Sequence, residues 1–236
     1  MAITVKTTKD ATAGLVAYEE PKSAAAEAYR ALRTNIMFAS PDKPVHTLLA
    51  TSTSPDDGKS TTLANLAITF ATSGSNTVLV DADLRRPHLH TIFGLGNDAG
   101  LTSLVADMAR ARAGETPHLP LQSTQIENLQ VLTSGPVPPN PAEILASQRM
   151  GEIIALLRSG AEYILIDTPP IIAVTDAAVL APRVDGVILV VNAGKTKRDL
   201  AVKARDMLKQ VNADILGVVL NNAQVDRSAY AYYGQK

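Results

Sequence analysis

Thr51-Ser-Thr-Ser-Pro-Asp-Asp-Gly-Lys-Ser-Thr-Thr62 is dense in hydroxyls and contains a Gly-Lys-Ser step. A glycine there lets the backbone turn its amides inward, and those N–H groups, with a helix N-terminus, form an anion site. Lys59 would reach the β- and γ-phosphates of a nucleotide, and the Ser60 hydroxyl would hold Mg²⁺. Asp57, Gly58 and Thr61 would line the same loop. The usual pattern, G-x-x-x-x-G-K-[ST], has glycine where this chain has Thr53, so the second half and its flanks carry the signal. Two carboxylates, Asp56 and Asp57, fall beside the expected triphosphate. They are expected to point to solvent or to weaken its binding.

A second cluster, Asp81-Ala-Asp83-Leu-Arg85, directly follows the apolar run Thr77–Val80. Alternation along an extended chain sends both carboxylates off the strand end on one side. The C-terminal ends of parallel strands are where open α/β sheets bind ligands. A third candidate is Asp167, at the end of Tyr163-Ile-Leu-Ile166. A carboxylate in that position orders a Mg²⁺ ion and its waters beside a phosphate loop; the plain alternative is a capping residue on a buried strand. His88 and His90 form a His-x-His pair without a plausible third ligand nearby, and read as surface helix rather than metal site.

These residues need strands that stop together on one edge of a sheet. Val45–Ala50 leads into the loop, and Leu63, Leu66, Ala67, Phe70 and Ala71 recur behind it at helical spacing. Gly186–Val191 and Ile215–Leu220 are two further buried strands, separated by a helix near Arg198–Gln210. Five parallel strands with crossover helices on both faces follow, an α/β fold of the P-loop NTPase kind with a mostly parallel sheet. Leu129–Leu132 reads as a short strand, Ala142–Arg158 as one helix, and residues 94–128 receive no role. Residues 1–21 read as an arm.

From Pro21 and Lys22-Ser23 an alanine-rich helix runs to about Ala39, with Ala28, Ala31, Leu32, Asn35, Ile36 and Ala39 on one face. Glu27, Arg30 and Arg33 lie about opposite, which on spacing alone reads as a solvated face with an i,i+3 ion pair. The last seven residues hold Tyr230, Tyr232 and Tyr233, half of the chain's 6 tyrosines, in a stretch without periodicity. An unstructured end has no core for them to fill.

Composition narrows the function classes. Over 236 residues the apolar content is 46% but the aromatic content only 4%, as suits Ala, Val, Leu and Ile packed between helices and a parallel sheet. A net charge of −1 gives no general attraction to nucleic acid or anionic membrane. Without cysteine, disulfide and thiolate chemistry are excluded. No run approaches the ~20 apolar residues of a membrane helix, so a cytoplasmic protein is expected.

Taken together, the motifs resemble those of the bacterial tyrosine kinases of capsular and exopolysaccharide assembly, in their stand-alone cytoplasmic form. Ser54–Thr61 is similar to their Walker A loop, Asp81-x-Asp83-x-Arg85 to their second Walker motif, and Ile164–Pro169 to Walker B. Pro138–Glu143 and the tail Tyr230–Gly234 also match, as does Glu27-x-x-Arg30-x-x-Arg33, similar to the family's oligomerisation motif. The resemblance implies a kinase domain over residues 1–224, with an oligomerisation helix at 22–39, and a flexible tyrosine tail over 225–236.

It further implies ATP and Mg²⁺ as cofactors, with Ser60, Asp83 and Asp167 around the metal and Lys59, Asp81, Asp83 and Arg85 as catalytic residues. Asn221 would touch adenine. Glu27, Arg30 and Arg33 would become a subunit contact in a ring-like homo-oligomer whose tails are phosphorylated between subunits. A membrane-spanning activator, the chain-length regulator on another chain, would hold the protein at the inner face of the plasma membrane; nucleic acid is not an expected partner. Two other readings stand beside this one: a ParA/MinD-type positioning ATPase, and a non-catalytic nucleotide-binding scaffold of the export machinery. The first normally carries a lysine five residues before the Walker lysine, where this chain has Ser54.

Overall fold

Strands buried on both faces read as unbroken apolar runs, and their alternate residues divide between two cores. That division is visible along the run before the phosphate loop: Leu48 and Ala50 join one core, Leu49 the other. The computed structural model describes residues 2–5, 14–39, 43–110 and 117–223. Its first half comprises β1 (Ala2–Val5), α1 (Val16–Glu19), α2 (Ala24–Met37), β2 (Thr47–Ser52), α3 (Lys59–Ala71), β3 (Thr77–Asp81), α4 (Leu89–Phe93) and α5 (Leu101–Arg110). There follow β4 (Gln122–Ser123), β5 (Leu129–Leu132), α6 (Pro141–Ala146), α7 (Gln148–Gly160), β6 (Tyr163–Asp167), α8 (Asp176–Leu180), β7 (Gly186–Asn192), α9 (Arg198–Gln210) and β8 (Ile215–Asn221).

Among the described residues the sheet has 8 strands in the order β1-β8-β7-β2-β6-β3-β5-β4. All neighbours pair in parallel except β4 with β5. The expected five strands form its centre, and β5, β4 and β1 extend it on both sides. Helices α2 and α3 cover one face with Tyr29, Leu32, Leu66 and Phe70. Helices α5, α7, α8 and α9 cover the other with Leu104, Ile153, Leu180 and Leu208.

Four local expectations change. Residues 14–19 are not a free arm: Leu15 and Ala17 are buried, and the Ala17 amide donates to Asn65 Oδ1 at 2.8 Å. Strand β1, also expected within the arm, lies at the sheet edge beside β8. In α2 the buried set is Ala26, Ala28, Tyr29, Leu32 and Ile36, whereas Ala31 and Ala39 are exposed. The large Tyr29 ring, fully buried against α3, sets the rotation of the helix, and its phenol is pushed up by desolvation with the Thr62 hydroxyl as polar neighbour. Finally, the helix expected over 142–158 is two. Ser147 leaves the helical region (φ −59°, ψ 154°) and its hydroxyl accepts from the Met150 amide at 3.3 Å, starting α7 afresh. Arg183 closes the end of α6, donating to the carbonyls of Leu145, Ala146 and Ser147 at 3.2, 2.5 and 2.7 Å.

At the end of the strands opposite the phosphate loop, one carboxylate ties three elements together. Asp185 Oδ2 accepts from the amides of His46 and Thr47 at 3.1 and 2.8 Å and from Arg158 Nη2 at 2.5 Å. Arg158 Nε also donates to the Thr47 hydroxyl at 2.8 Å. Desolvation acts to raise the Asp185 carboxyl, but Arg158 and the two amides outweigh it and hold the group below the usual carboxylate range. A carboxylate with a depressed folded pKa contributes stability above its unfolded value, near ~3.9, and loses it as pH falls through the folded value. Asp185→Asn should therefore unfold at a lower temperature than the parent chain near neutral pH, and the gap should narrow below about pH 4. Calorimetry showing an equal gap at both pH values would mean that the charge contributes nothing.

Candidate active site

The loop between β2 and α3 is built on two left-handed residues, Asp56 (φ 64°) and Gly58 (φ 81°). Only glycine fits at the second: a Cβ on Gly58 would lie 1.9 Å from Asn221 Nδ2. Asp tolerates the left-handed region better than most residues, which lets Asp56 stand there, exposed, with its carbonyl accepting from Asn192 Nδ2 at 3.5 Å.

Asp57 departs from both fates expected for it. Its carboxylate is buried and turned back into the loop, where Oδ2 accepts from Thr53 Oγ1 at 2.6 Å and the Ser54 amide at 2.9 Å. Oδ1 accepts from Thr196 Oγ1 at 3.2 Å. Its charge is thus met by donors of the loop and of the β7–α9 turn. Asn221 Nδ2 donates to the Asp57 carbonyl at 2.9 Å, and Asn221 Oδ1 accepts from the Asn222 amide at 3.0 Å. The Asn221 amide thus supports the loop from behind.

Lys59 opens α3 and is buried with its ammonium on Asp167 Oδ1 at 2.5 Å. Nζ also donates to Ser60 Oγ at 3.0 Å, and Ser60 Oγ to Asp167 Oδ2 at 2.6 Å, closing a triangle of ammonium, hydroxyl and carboxylate. Thr61 stands in the same first turn, its carbonyl accepting from Asn65 Nδ2 at 2.9 Å.

The parallel register of β3 on β6 sets Asp81 opposite Asp167. Asp81 is fully buried; Oδ2 accepts from the amides of His88 and Leu89 at 3.1 and 3.0 Å, and Oδ1 from the Asp83 amide at 3.2 Å. Burial first, then the neighbouring Asp167, push its pKa up to about 7 against the pull of the Leu89 amide and Lys59. Desolvation likewise raises Asp83, whose Oδ1 accepts from the Arg86 amide at 3.0 Å. Asp81 and Asp83 thus both feel the charges of Asp167 and Lys59.

Arg85 does not lie on them. Its guanidinium pairs with Asp176, at 2.7 Å for Nε to Oδ2 and 3.0 Å for Nη2 to Oδ1. Neither Asp176 nor Thr196 was singled out in the sequence, where the one signal for Asp176 is an acid placed within the apolar stretch Ile171–Leu180.

The donor set fits Mg²⁺ with a nucleotide. Ser60 and Asp167 offer bonded hard oxygens beside Lys59 and the helix N-terminus, and the Asp83 carboxyl lies within electrostatic reach of Asp167 and Lys59. Among the described residues no group of three or more acidic or histidine side chains is gathered tightly enough to hold an ion alone. Mg²⁺ matches that arrangement, because it is held by one or two carboxylates together with substrate phosphates.

The other predicted residues are elsewhere. Glu27 and Arg30 pair on α2, with Oε2 2.7 Å from Nε, and Arg30 Nη1 donates to the Pro21 carbonyl at 2.9 Å. Arg33 Nη1 donates to the Thr69 carbonyl and so lies against α3. Tyr230, Tyr232 and Tyr233 lie outside the described residues.

Comparison with known proteins follows the same lines. The ParA family model, described as NUBPL iron-transfer P-loop NTPase, matches residues 45–230. Tyrosine-protein kinase YwqD of Bacillus subtilis (strain 168) is 43% identical over 223 residues, covering 94% of this chain and 92% of its own. The crystal structure of the chimerical protein CapA2B2 superposes with a TM-score of 0.84 at 38% identity, over 94% of this chain and 93% of that one. The septum site-determining protein MinD of Pyrococcus horikoshii OT3, complexed with Mg-ADP, is more distant: TM-score 0.59 and 26% identity, over 75% and 70% of the two chains.

The position of Asp57 generates a prediction with a definite sign. If its carboxylate holds the loop, Asp57→Ala strands Thr53, Ser54 and Thr196 without their acceptor, a cost of about 1–3 kcal/mol. Binding of a fluorescent ATP analogue should then weaken by about tenfold or more. Tighter binding by the variant would mean that repulsion of the triphosphate dominates.

Proposed function

The chain belongs to the ParA-like P-loop NTPases and, among them, to the bacterial tyrosine-protein kinases, and from that membership we propose how it transfers phosphate and to what. The observation that carries the reading is Asp81. A buried carboxylate with its pKa pushed up to about 7, in register with Asp167 and within electrostatic reach of Lys59, would serve as the proton acceptor beside a bound nucleotide.

ATP is the phosphoryl donor. Loop amides and Lys59 hold the β- and γ-phosphates, while Asp57 and Asn221 keep the loop in shape for them. Mg²⁺, which Ser60, Asp83 and Asp167 would hold, neutralises charge on those phosphates when bound. The acceptor tyrosine brings its phenolic oxygen to Asp81. That oxygen forms the new bond to the γ-phosphorus, the bond from phosphorus to the β,γ-bridging oxygen breaks, and ADP leaves with its electron pair. The phenolic proton passes to the Asp81 carboxylate. A phenol near ~10 and a carboxyl near 7 leave about 3 pK units between them. Proton transfer therefore comes late, as charge leaves the phenolic oxygen, and an ordinary carboxylate would make it costlier.

The acceptors are the tail tyrosines, Tyr230, Tyr232 and Tyr233, presented to a neighbouring subunit. The kinase domain spans residues 1–224 and the tail 225–236. Subunits meet through the helix at 22–39 in a ring-like homo-oligomer, where Glu27 and Arg30 face outward and Arg33 braces α2 on α3. No helix among the described residues is long and apolar enough to cross a membrane. A membrane-spanning activator on another chain would bring this one to the inner face of the plasma membrane, in the service of polysaccharide assembly. The positioning-ATPase alternative shares the fold at a distance, and Ser54 stands where its signature lysine would be.

Two experiments test this. A Lys59→Met chain mixed with an active chain lacking residues 225–236 should gain phosphate on Tyr230, Tyr232 or Tyr233, read by mass spectrometry. ATP hydrolysis without phosphotyrosine, with the activator segment co-expressed, would favour the switch instead. Replacing Arg30 by Ala should leave smaller species in light scattering; an unchanged mass would return the Glu27–Arg30 pair to a solvated surface.

A further inference from the structure

Among the described residues, Asp176 is the buried acid near the site that the reaction above does not use. It opens α8, is wholly inaccessible, and has Arg85 as its ion-pair partner. The partner is 39% exposed, so the pair joins a buried carboxylate to a guanidinium at the rim of the site. Stability alone is a weak reason for such a pair. Burying a carboxylate costs several kcal/mol before the pair forms, and a well-packed apolar residue commonly serves the fold as well.

Geometry is what the pair does supply. Two parallel N–H···O bonds, from Nε and Nη2, fix the plane and direction of the guanidinium as a single contact would not. Among the described residues no acceptor is bonded to Nη1, so that edge of the fork is left over. The group held in this way belongs to the residue two places after Asp83, and its charge acts on Asp83 as well as on Asp176.

We propose that Asp176 is a positioning residue for tyrosine phosphorylation: its buried carboxylate clamps Arg85 so that the unused guanidinium edge meets the anionic group arriving beside Asp81 and Asp83. The inference rests on the reading of Arg85 as a site residue and adds to it the residue through which Arg85 is aimed. Only charge that shifts during transfer, on the oxygens of the moving phosphoryl group, benefits from a donor fixed in advance. Clamping therefore acts on the transfer step and leaves ground-state nucleotide binding nearly unchanged.

The test is a cycle on the full chain with Asp176→Asn, Arg85→Ala and the double variant, measuring initial tyrosine phosphorylation rates, affinity for Mg-ATP and melting temperature. Asp176→Asn is expected to slow transfer by about tenfold or more, a change of ~1.4 kcal/mol, with nucleotide affinity within about twofold of the parent. The double variant should be no slower than Arg85→Ala. Asp176→Asn at the parental rate, while Arg85→Ala is slow, would overturn the inference and spare the role of Arg85. Arg85→Ala at the parental rate would overturn both. Additive losses would mean that Asp176 acts on something other than Arg85. Should Asp176→Asn fail to fold, Arg85→Lys decides, because it keeps the charge and loses the fork. A rate as low as that of Arg85→Ala supports clamping, and a parental rate overturns it.

Discussion

The parallel register of β3 on β6 is the constraint from which the chemistry follows. It sets Asp81 and Asp167 opposite each other, about 4.8 Å apart at the backbone, at the ends of adjacent strands. A slip of one residue would send one carboxylate to the other face of the sheet and separate the pair. Both strands are buried on both faces, Leu79 and Leu165 on one side and Val78, Val80, Ile164 and Ile166 on the other. The register is thus locked by two cores, and the two acids occupy places where neither can move away from the other. Asp81 keeps its proton to higher pH for that reason, together with its burial.

The phosphate loop is held from behind by a different set of strands. Asn192, at the end of β7, and Asn221, at the end of β8, hold the carbonyls of Asp56 and Asp57, while Thr196 holds the Asp57 carboxylate. The loop therefore does not rely on a glycine at Thr53 for its shape. An internal carboxylate and three side chains from neighbouring segments supply the restraint, and Gly58 leaves room for one of them.

Much of this was legible in the sequence because it depends on periodicity and on where apolar runs stop. Strands β2, β3 and β6 announce themselves as apolar runs, and each ends at the residues that make the site. What escaped depends on contacts between distant segments. Asp57 reads as a liability because its acceptor role needs Thr196, far along the chain, to be visible. Arg85 reads as part of the acid cluster because Asp176 carries no local motif. The apolar face read for α2 includes Ala31 and Ala39 and leaves out Tyr29, whose ring volume decides which way the helix rolls. Ser147 is a cap inside what looks like one continuous helix, and a hydroxyl among helix formers gives little warning of it.

The position of β2 at the centre of the sheet also fixes an order of events in biosynthesis. Thr47 pairs with Ile164, and Leu48 with Gly186, so both neighbours of β2 lie more than a hundred residues downstream. At about 5–20 residues per second, the apolar strand that leads into the phosphate loop waits on the order of 6–25 s after synthesis for a partner. Throughout that interval its backbone groups can be met by water but not by their native neighbours, and the native core is incomplete. The nucleotide-binding element is made early and finished late, and a growing chain carries it as an open sheet edge until β6 and β7 emerge.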